Sequence, residues 1–289
     1  MAKARSDGEP KPHPLQPRDR LEQLLFSTIR LEATIDEGVA SGTGFVLRVP
    51  APGIFPADQC CDLLVTNKHN IKDAREIRFL VHEELPDKRV SSRRTEVRLP
   101  GQTLDKMWTM HPDPSVDLCA LNFGSLREQA EAQGTNVYAM TIPESLIATP
   151  EEMTDLLPVE TVLMIGYPDG LADDVHNLPL YRRGTTATPP GVDFDGHPTF
   201  YVDLPCFEGS SGSPVFLFDH GIYATRDGAV RTGGRFMLLG VLFQGPPLQG
   251  EEYVGNPLQL LHLGEVVKAN QLFALRDVFL QQVRRLVRP

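Results

Sequence analysis

CFEGSSGSPVF, residues Cys206 to Phe216, packs three serines and two glycines into positions 209–213 and then turns apolar. A flexible linker, a phosphate cradle and a loop that holds a nucleophile all draw on such residues. A Gly/Ser linker would not run straight into Pro214-Val215-Phe216-Leu217-Phe218, a stretch suited to burial. A phosphate loop needs a lysine and a following helix, and the sequence offers neither here. The third reading fits. A nucleophilic serine needs its hydroxyl in a cleft and nearby backbone N–H groups converging on one point. Gly209, two residues before Ser211, lets the N–H groups of residues 209 and 211 point together, and Gly212 leaves room for a substrate. Ser210 and Ser213 flank the position, but only Ser211 has glycine at both −2 and +1.

The rest of the chain must supply a matching scaffold. Its 289 residues are enough for a sizeable core in one large or two small domains. A hydrophobic content of 41% and a charged content of 23% suit a globular protein. The formal net charge of −10 argues against a general nucleic-acid partner, which needs a basic face. No signal-peptide pattern is present at the N-terminus, and no window holds the ~18 apolar residues of a membrane span. The expectation is a cytoplasmic protein with no membrane partner. Four cysteines, Cys60, Cys61, Cys119 and Cys206, form no C-x-x-C pair, so they read as buried or semi-buried thiols rather than a zinc site.

Residues 1–20 are rich in proline and charge and read as a disordered arm. Six short alternating or apolar segments follow before residue 125: STIRLEATID, ASGTGFVLRV, CCDLLVTNKHNI, IRFLVHE, TEVRL and DLCALNF. TVLMIGYP, TFYVDLP, SPVFLFD and RFMLLGVLFQG continue the series, many of them set apart by Gly/Pro turns. Such a pattern predicts an all-β sandwich or barrel. The G-T-G at Gly42-Thr43-Gly44 is a weak nucleotide signal, because no third glycine and no helix follow. Helical periodicity is clear near the end, where Leu272, Leu275, Val278, Phe279, Val283 and Leu286 make one stripe. That stripe suits a helix packed on the β core better than a membrane-surface helix, since its arginines are few. SLREQAEAQ and RLEQLLFSTI are shorter helical candidates.

G-S-S-G-S-P-V-F resembles the active-site loop of chymotrypsin-like (trypsin-fold) serine peptidases, and its ending is most similar to the bacterial glutamyl-endopeptidase-like branch. The resemblance implies an all-β fold of two six-stranded Greek-key barrels, about 27–125 and 155–268, with a C-terminal helix at about 270–287. It also implies the order His, Asp, Ser. LLVTNKHN supplies His69 and resembles the family's T-A-A-H segment. SVDLCAL supplies Asp117 and resembles D-I-A-L-L. Asp117 lies 48 residues after His69, and Ser211 lies 94 after Asp117. His82, His111, His176, His197, His220 and His262 lack the T-x-x-H context, and Asp113 between prolines reads as a turn residue. Asp62 and Asp73 flank the His69 segment and read as solvated.

By that resemblance His69 is the general base, Asp117 orients it, Ser211 attacks a peptide carbonyl, and the N–H groups of Gly209 and Ser211 receive the oxyanion. The implied activity is a serine-type endopeptidase acting on a protein or peptide substrate, with no metal and no organic cofactor. Ser210 stands where trypsins carry an activating Asp, so zymogen activation of that kind is not expected. The primary pocket is assigned to Pro205, Cys206, Glu208, Phe243 and Gly245. No acid stands at Pro205 to meet Lys or Arg, and Leu242 and Phe243 replace the histidine that glutamyl endopeptidases place in the wall strand. A small or apolar residue before the scissile bond is expected. The irregular stretch around residues 166–191 reads equally as a surface excursion or as a substrate-selecting rim, with Arg182 and Arg183 offered to an acidic partner. Two rivals remain: a trypsin fold that has lost activity and serves as a scaffold, and an α/β-hydrolase esterase. The esterase would need the order Ser, Asp, His and a different nucleophile turn.

Overall fold

A computed structural model describes residues 10–54, 59–244 and 262–287. The N-terminal half is one sheet. Its strands are β1 (Thr28–Ile35), β2 (Gly38–Pro50), β3 (Cys60–Thr66), β4 (Glu76–Glu84), β5 (Val90–Pro100), β6 (Trp108–Met110) and β7 (Cys119–Asn122), in the order β5-β4-β1-β2-β3-β7-β6. Two-residue strands β8 (Val137–Tyr138) and β9 (Ile142–Pro143) add to β4 and β2. The six segments read as strands from sequence are β1–β5 and β7. The three extra strands are two or three residues long, too short for alternation to register.

The C-terminal half comprises β10 (Thr161–Gly166), β11 (Leu180–Thr186), β12 (Thr199–Asp203), β13 (Pro214–Phe218), β14 (Gly221–Ala224), β15 (Val230–Gly233), β16 (Phe236–Gln244) and β17 (Leu263–Lys268). Six of these close into a barrel in the order β10-β11-β12-β17-β16-β13, while β14 and β15 form a separate hairpin. The mostly β architecture, its closed six-stranded barrel and its C-terminal helix agree with the fold expected from the sequence; the first half, expected as a second six-stranded barrel, is a nine-stranded sheet, because the short β6, β8 and β9 add to it. The strand β11 lies inside the stretch that reads as irregular. LYRRGTT has almost no apolar residue to betray it, because its neighbours supply the packing. A Cβ on Gly184 would strike the carbonyl of Asp203 on the paired strand.

Helices close the framework: α1 (Arg20–Leu25), α2 (Gly101–Met107), α3 (Phe123–Ala132), α4 (Pro150–Asp155) and α5 (Gln271–Val287). Thr149 caps α4 in a reciprocal pair with Glu152, behind a proline in the first turn. In α5, Leu272, Leu275, Phe279 and Val283 are buried in a core that also holds Phe45, Leu47 and Leu118 from the first half and Phe216, Val241 and Val267 from the second. Each such side chain contributes about 1.5–3 kcal/mol of apolar burial, so the two halves and α5 share one interior. Leu286 departs from the expected stripe and is 82% exposed. Among the described residues no helix is long and apolar enough to cross a membrane.

The stretch read as a disordered arm is docked from residue 11 onward. His13 N–H donates to Val90 O at 2.8 Å, Ser92 N–H donates to Lys11 O at 2.8 Å, and His13 is buried. Asp62 also departs from its solvated reading: it is buried and held by Arg48 at 2.8 Å and Arg127 at 3.1 Å. Cys60 is exposed rather than buried, and all four thiols are free.

Candidate active site

β3 delivers the histidine. Its CCDLLVT run, buried from Cys61 on, ends at Thr66, and a single 3-10 turn over Lys68–Asn70 lifts His69 into the open. Asp117 arrives from the turn before β7. Ser115 donates twice to Asp113 Oδ1, and Val116 N–H donates to Asp113 O, which tightens that turn. The two loops are tied by Asn67, fully buried, whose Nδ2 donates to Asp117 O at 2.8 Å. The carboxylate then holds His69 at two points. His69 Nδ1 lies 2.6 Å from Asp117 Oδ2, and His69 N–H donates to Oδ1 at 3.2 Å. A carboxylate has no proton to give at neutral pH, so Nδ1 carries the hydrogen and Nε2 is left as the acceptor.

The nucleophile loop lies against the same turn. Ser211 O accepts from Asn70 Nδ2 at 2.9 Å and from Thr43 N–H at 2.9 Å. Asn70 also donates to Thr66 Oγ1, and Thr66 Oγ1 donates to Thr43 O. Thr43 Oγ1 donates to Gly209 O at 2.8 Å and accepts from Tyr167 N–H at 3.1 Å. One buried network therefore joins the His69 turn, β2 and the serine loop. Gly42 and Gly212 make it fit. A Cβ at Gly42 would meet the Asn70 side chain at 2.6 Å, and one at Gly212 would overlap Thr43 O. Gly212 also sits at φ +89 and Gly209 at φ +80, in the region that favours glycine.

Of the three serines, Ser210 and Ser213 are fully buried, and their hydroxyls have no partner among the described residues. Ser211 alone is half-exposed. The backbone follows the same division. The N–H groups of Ser210, Gly212 and Ser213 donate to Phe207 O, Leu242 O and Ser210 O. Those of Gly209 and Ser211 have no acceptor among the described residues. In a trans peptide the N–H points opposite the carbonyl. Glu208 O is held by Asp169 N–H at 2.5 Å and Ser210 O by Ser213 N–H at 3.0 Å. Both carbonyls are thus fixed on the protein side, which frees the two N–H groups. No hydrogen bond joins Ser211 Oγ to His69 among the described residues.

β16 zips onto this loop, with Gly212 N–H bound to Leu242 O and Leu242 N–H bound to Ser213 O. Its next residue, Phe243, meets the His69 ring in an inclined, edge-type contact at 5.8 Å between centroids. Phe243, His69 and Asp117 line a cavity of about 600 Å³ with Lys68, Lys72 and Met110. The other predicted pocket residues are placed differently. Pro205 O accepts from Arg182 at 2.7 Å, and the Arg182 guanidinium stacks 4.8 Å from the Phe207 ring. Arg182 is thereby committed to the serine loop, while Arg183 is exposed. Cys206 is buried against Leu204 O and Gly264, and burial pushes its thiol up to about 12. Burial also raises Cys119 and Cys61, so none of the three buried thiols competes as a nucleophile. Glu208 is exposed beside the loop, and Gly245 lies outside the described residues. His111 is occupied by its own turn, where Asp113 N–H donates to Nδ1 at 3.1 Å.

The sequence profile of the trypsin-like peptidase domain family matches residues 42–222. This chain belongs to that family. Membership makes it a serine-type endopeptidase domain, and the matched span contains His69, Asp117 and Ser211. Many solved structures are similar to it, among them the following three. Rv3671c from M. tuberculosis H37Rv shares 16% identity over 89% of each chain, at a TM-score of 0.43. A serine endoprotease from Yersinia pestis shares 15% identity over 92% of this chain and 65% of that one, at 0.46. The HtrA-type protease AlgW, solved with a tripeptide, shares 12% over 91% and 62%, at 0.49. The peptidase domain therefore spans less than two thirds of the latter two chains. No curated protein sequence matches it significantly.

Thr43, Asn67 and Asn70 are the functional supports that sequence reasoning passes over. Thr43 lies in the G-T-G of β2, which carries a signal, two glycines inside a strand, but suggests the wrong chemistry. Those glycines mark a close approach of backbone and side chains rather than a nucleotide.

Proposed function

We propose that this chain hydrolyses peptide bonds through an acyl-enzyme, with His69 as general base, Asp117 as its orienting acid and Ser211 as nucleophile. The observation that carries the reading is the pair of free N–H groups at Gly209 and Ser211, beside a histidine held at two points by a carboxylate. Ser211 Oγ attacks the carbonyl carbon and passes its proton to His69 Nε2. The carbonyl oxygen, now negative, is received by the two N–H groups, and each such donor is worth about 2.7–4 kcal/mol in the transition state. His69 returns the proton to the leaving amine. Water, activated by the same ring, then releases the acid.

Activation by a freshly cut N-terminal amine is not required. Ser210 is no acid, and the serine loop is already anchored by Thr43, Asn70 and Asp169. A small or apolar residue before the scissile bond suits the packing of Cys206, Leu242 and Gly264 beneath the loop. The likeness to glutamyl endopeptidases is confined to the serine loop, since Phe243 faces His69 where that branch would use a histidine. The rival reading, a silent scaffold, draws on the missing hydrogen bond between Ser211 Oγ and His69. Such bonds commonly tighten only when substrate is bound. Incubation with an unfolded protein such as β-casein separates the two. Cleavage by the wild type and none by Ser211→Ala supports the peptidase. Intact casein with both proteins supports the scaffold.

A further inference from the structure

A second cavity, about 220 Å³, adjoins the one at His69. Ser115, Val116 and Asp117 line it from the first half of the molecule. His197, Pro198, Thr199, Glu265 and Val267 line it from the barrel, and His197 makes no hydrogen bond or ion pair to Glu265. Ser115, Asp117 and Phe243 are common to both cavities, so a peptide lying past His69 reaches the second one within a few residues. Cross-strand pairs fix what points into it. Thr199 pairs with Val267 and Tyr201 with Glu265, and residues directly opposite share a face of the sheet. Val267 is buried on the face turned to the first half, so Glu265 and Thr199 share that face.

Two of the polar groups there, Glu265 and Thr199, are under-partnered. Glu265 has no cationic partner among the described residues. Its one hydrogen bond is from Tyr201 O–H to Oε2 at 3.3 Å, which leaves Oε1 open. Burial together with the Glu265 charge raises Tyr201 to about 12, so the phenol remains a neutral donor and does not offset the carboxylate. Thr199 is 7% exposed, and its hydroxyl has no partner among the described residues. The walls are apolar: Val116, Pro198, Phe243 and Val267. An apolar sleeve with an unpaired carboxylate and a spare hydroxyl is complementary to a lysine or arginine side chain, whose methylenes pack while the head meets the charge.

Resting on the peptidase reading, we propose that this cavity is a substrate subsite that selects a basic side chain on the acyl side of the scissile bond, with Glu265 as the specificity-determining residue. The residue before the scissile bond itself is read separately, beneath the serine loop. The test uses the full chain and paired peptide substrates that differ only by lysine against norleucine at each of the second to fourth positions before the cleavage site. At one position lysine is expected to raise kcat/KM about tenfold, the effect of one charge-assisted hydrogen bond. Glu265→Gln, which keeps shape and removes charge, is expected to erase that preference. Glu265→Lys is expected to reverse it in favour of the norleucine peptide. Equal or better cleavage of the norleucine peptides at every position overturns the inference, as does a lysine preference that survives Glu265→Gln. Fluorophosphonate labelling of the wild type at Ser211 is read alongside. No labelling and no cleavage of any peptide would refute the peptidase reading and the subsite with it, whereas labelling without a basic preference refutes the subsite alone.

Discussion

Replacing Thr43 with valine keeps the shape of a fully buried side chain and removes one hydroxyl. That hydroxyl serves two backbone groups, as donor to Gly209 O at 2.8 Å and acceptor from Tyr167 N–H at 3.1 Å. Both would be left buried without a partner. A buried polar group so orphaned costs about 1–3 kcal/mol, so Thr43→Val is expected to lose about 2–6 kcal/mol of stability, less whatever a local shift recovers. Thr43→Ser keeps the hydroxyl and loses one methyl, a change of about 1 kcal/mol. Urea unfolding of the three proteins, followed by tryptophan fluorescence from Trp108, measures the difference. The valine variant should also label more slowly at Ser211, because Gly209 O pins the peptide between the two that carry the free N–H groups. If Thr43→Val is no less stable than Thr43→Ser, the buried network does not anchor the serine loop and the account of how the loop is positioned is wrong.

Other substitutions probe the remaining parts. Asp117→Asn keeps the geometry but lets Nδ1 lose its obligatory donor role, and kcat on a peptide ester is expected to fall about 10⁴-fold; a loss under tenfold would remove Asp117 from the mechanism. Gly212→Ala would drive a Cβ onto Thr43 O at a positive φ, so it should abolish cleavage and lower stability together; an active, stable variant would refute the close packing. His82, beside His13, is held by burial at about 4, below its ordinary 6.5. The unfolded chain therefore binds more protons between these values. Stability is full above pH 6.5 and falls as pH drops toward 4, by on the order of 3 kcal/mol. Urea midpoints should show that slope, and His82→Leu should flatten it.

The serine loop was the most legible part of the chain because its constraints are local. Glycines that must adopt positive φ cannot be anything else, so Gly209 and Gly212 announce the turn around Ser211. β1–β5 alternate or run apolar because each packs against a core on at least one face. β11 is illegible for the opposite reason: LYRRGTT closes the barrel through backbone pairing, and its packing is supplied by neighbouring strands. β17 does pack, through Val266 and Val267, but its apolar run is too short to stand out in sequence. The capping signal Thr149-Pro150-Glu151-Glu152 was present and marks α4. The docking of residues 11–16 could not be read, since it depends on where β5 lies. Arg182 and Asp62 looked like surface charges, yet their partners, Pro205 O and Arg48, are set by folding. Sequence types identify groups that must do chemistry more readily than groups that hold others in place.

The most direct test of the central claim is to react the folded protein with a fluorophosphonate and map the adduct by mass spectrometry, in the wild type and in His69→Ala. A single adduct on Ser211, lost or slowed at least a hundredfold without His69, is the expected result. An adduct on another residue, or labelling of Ser211 that is indifferent to His69, would contradict it.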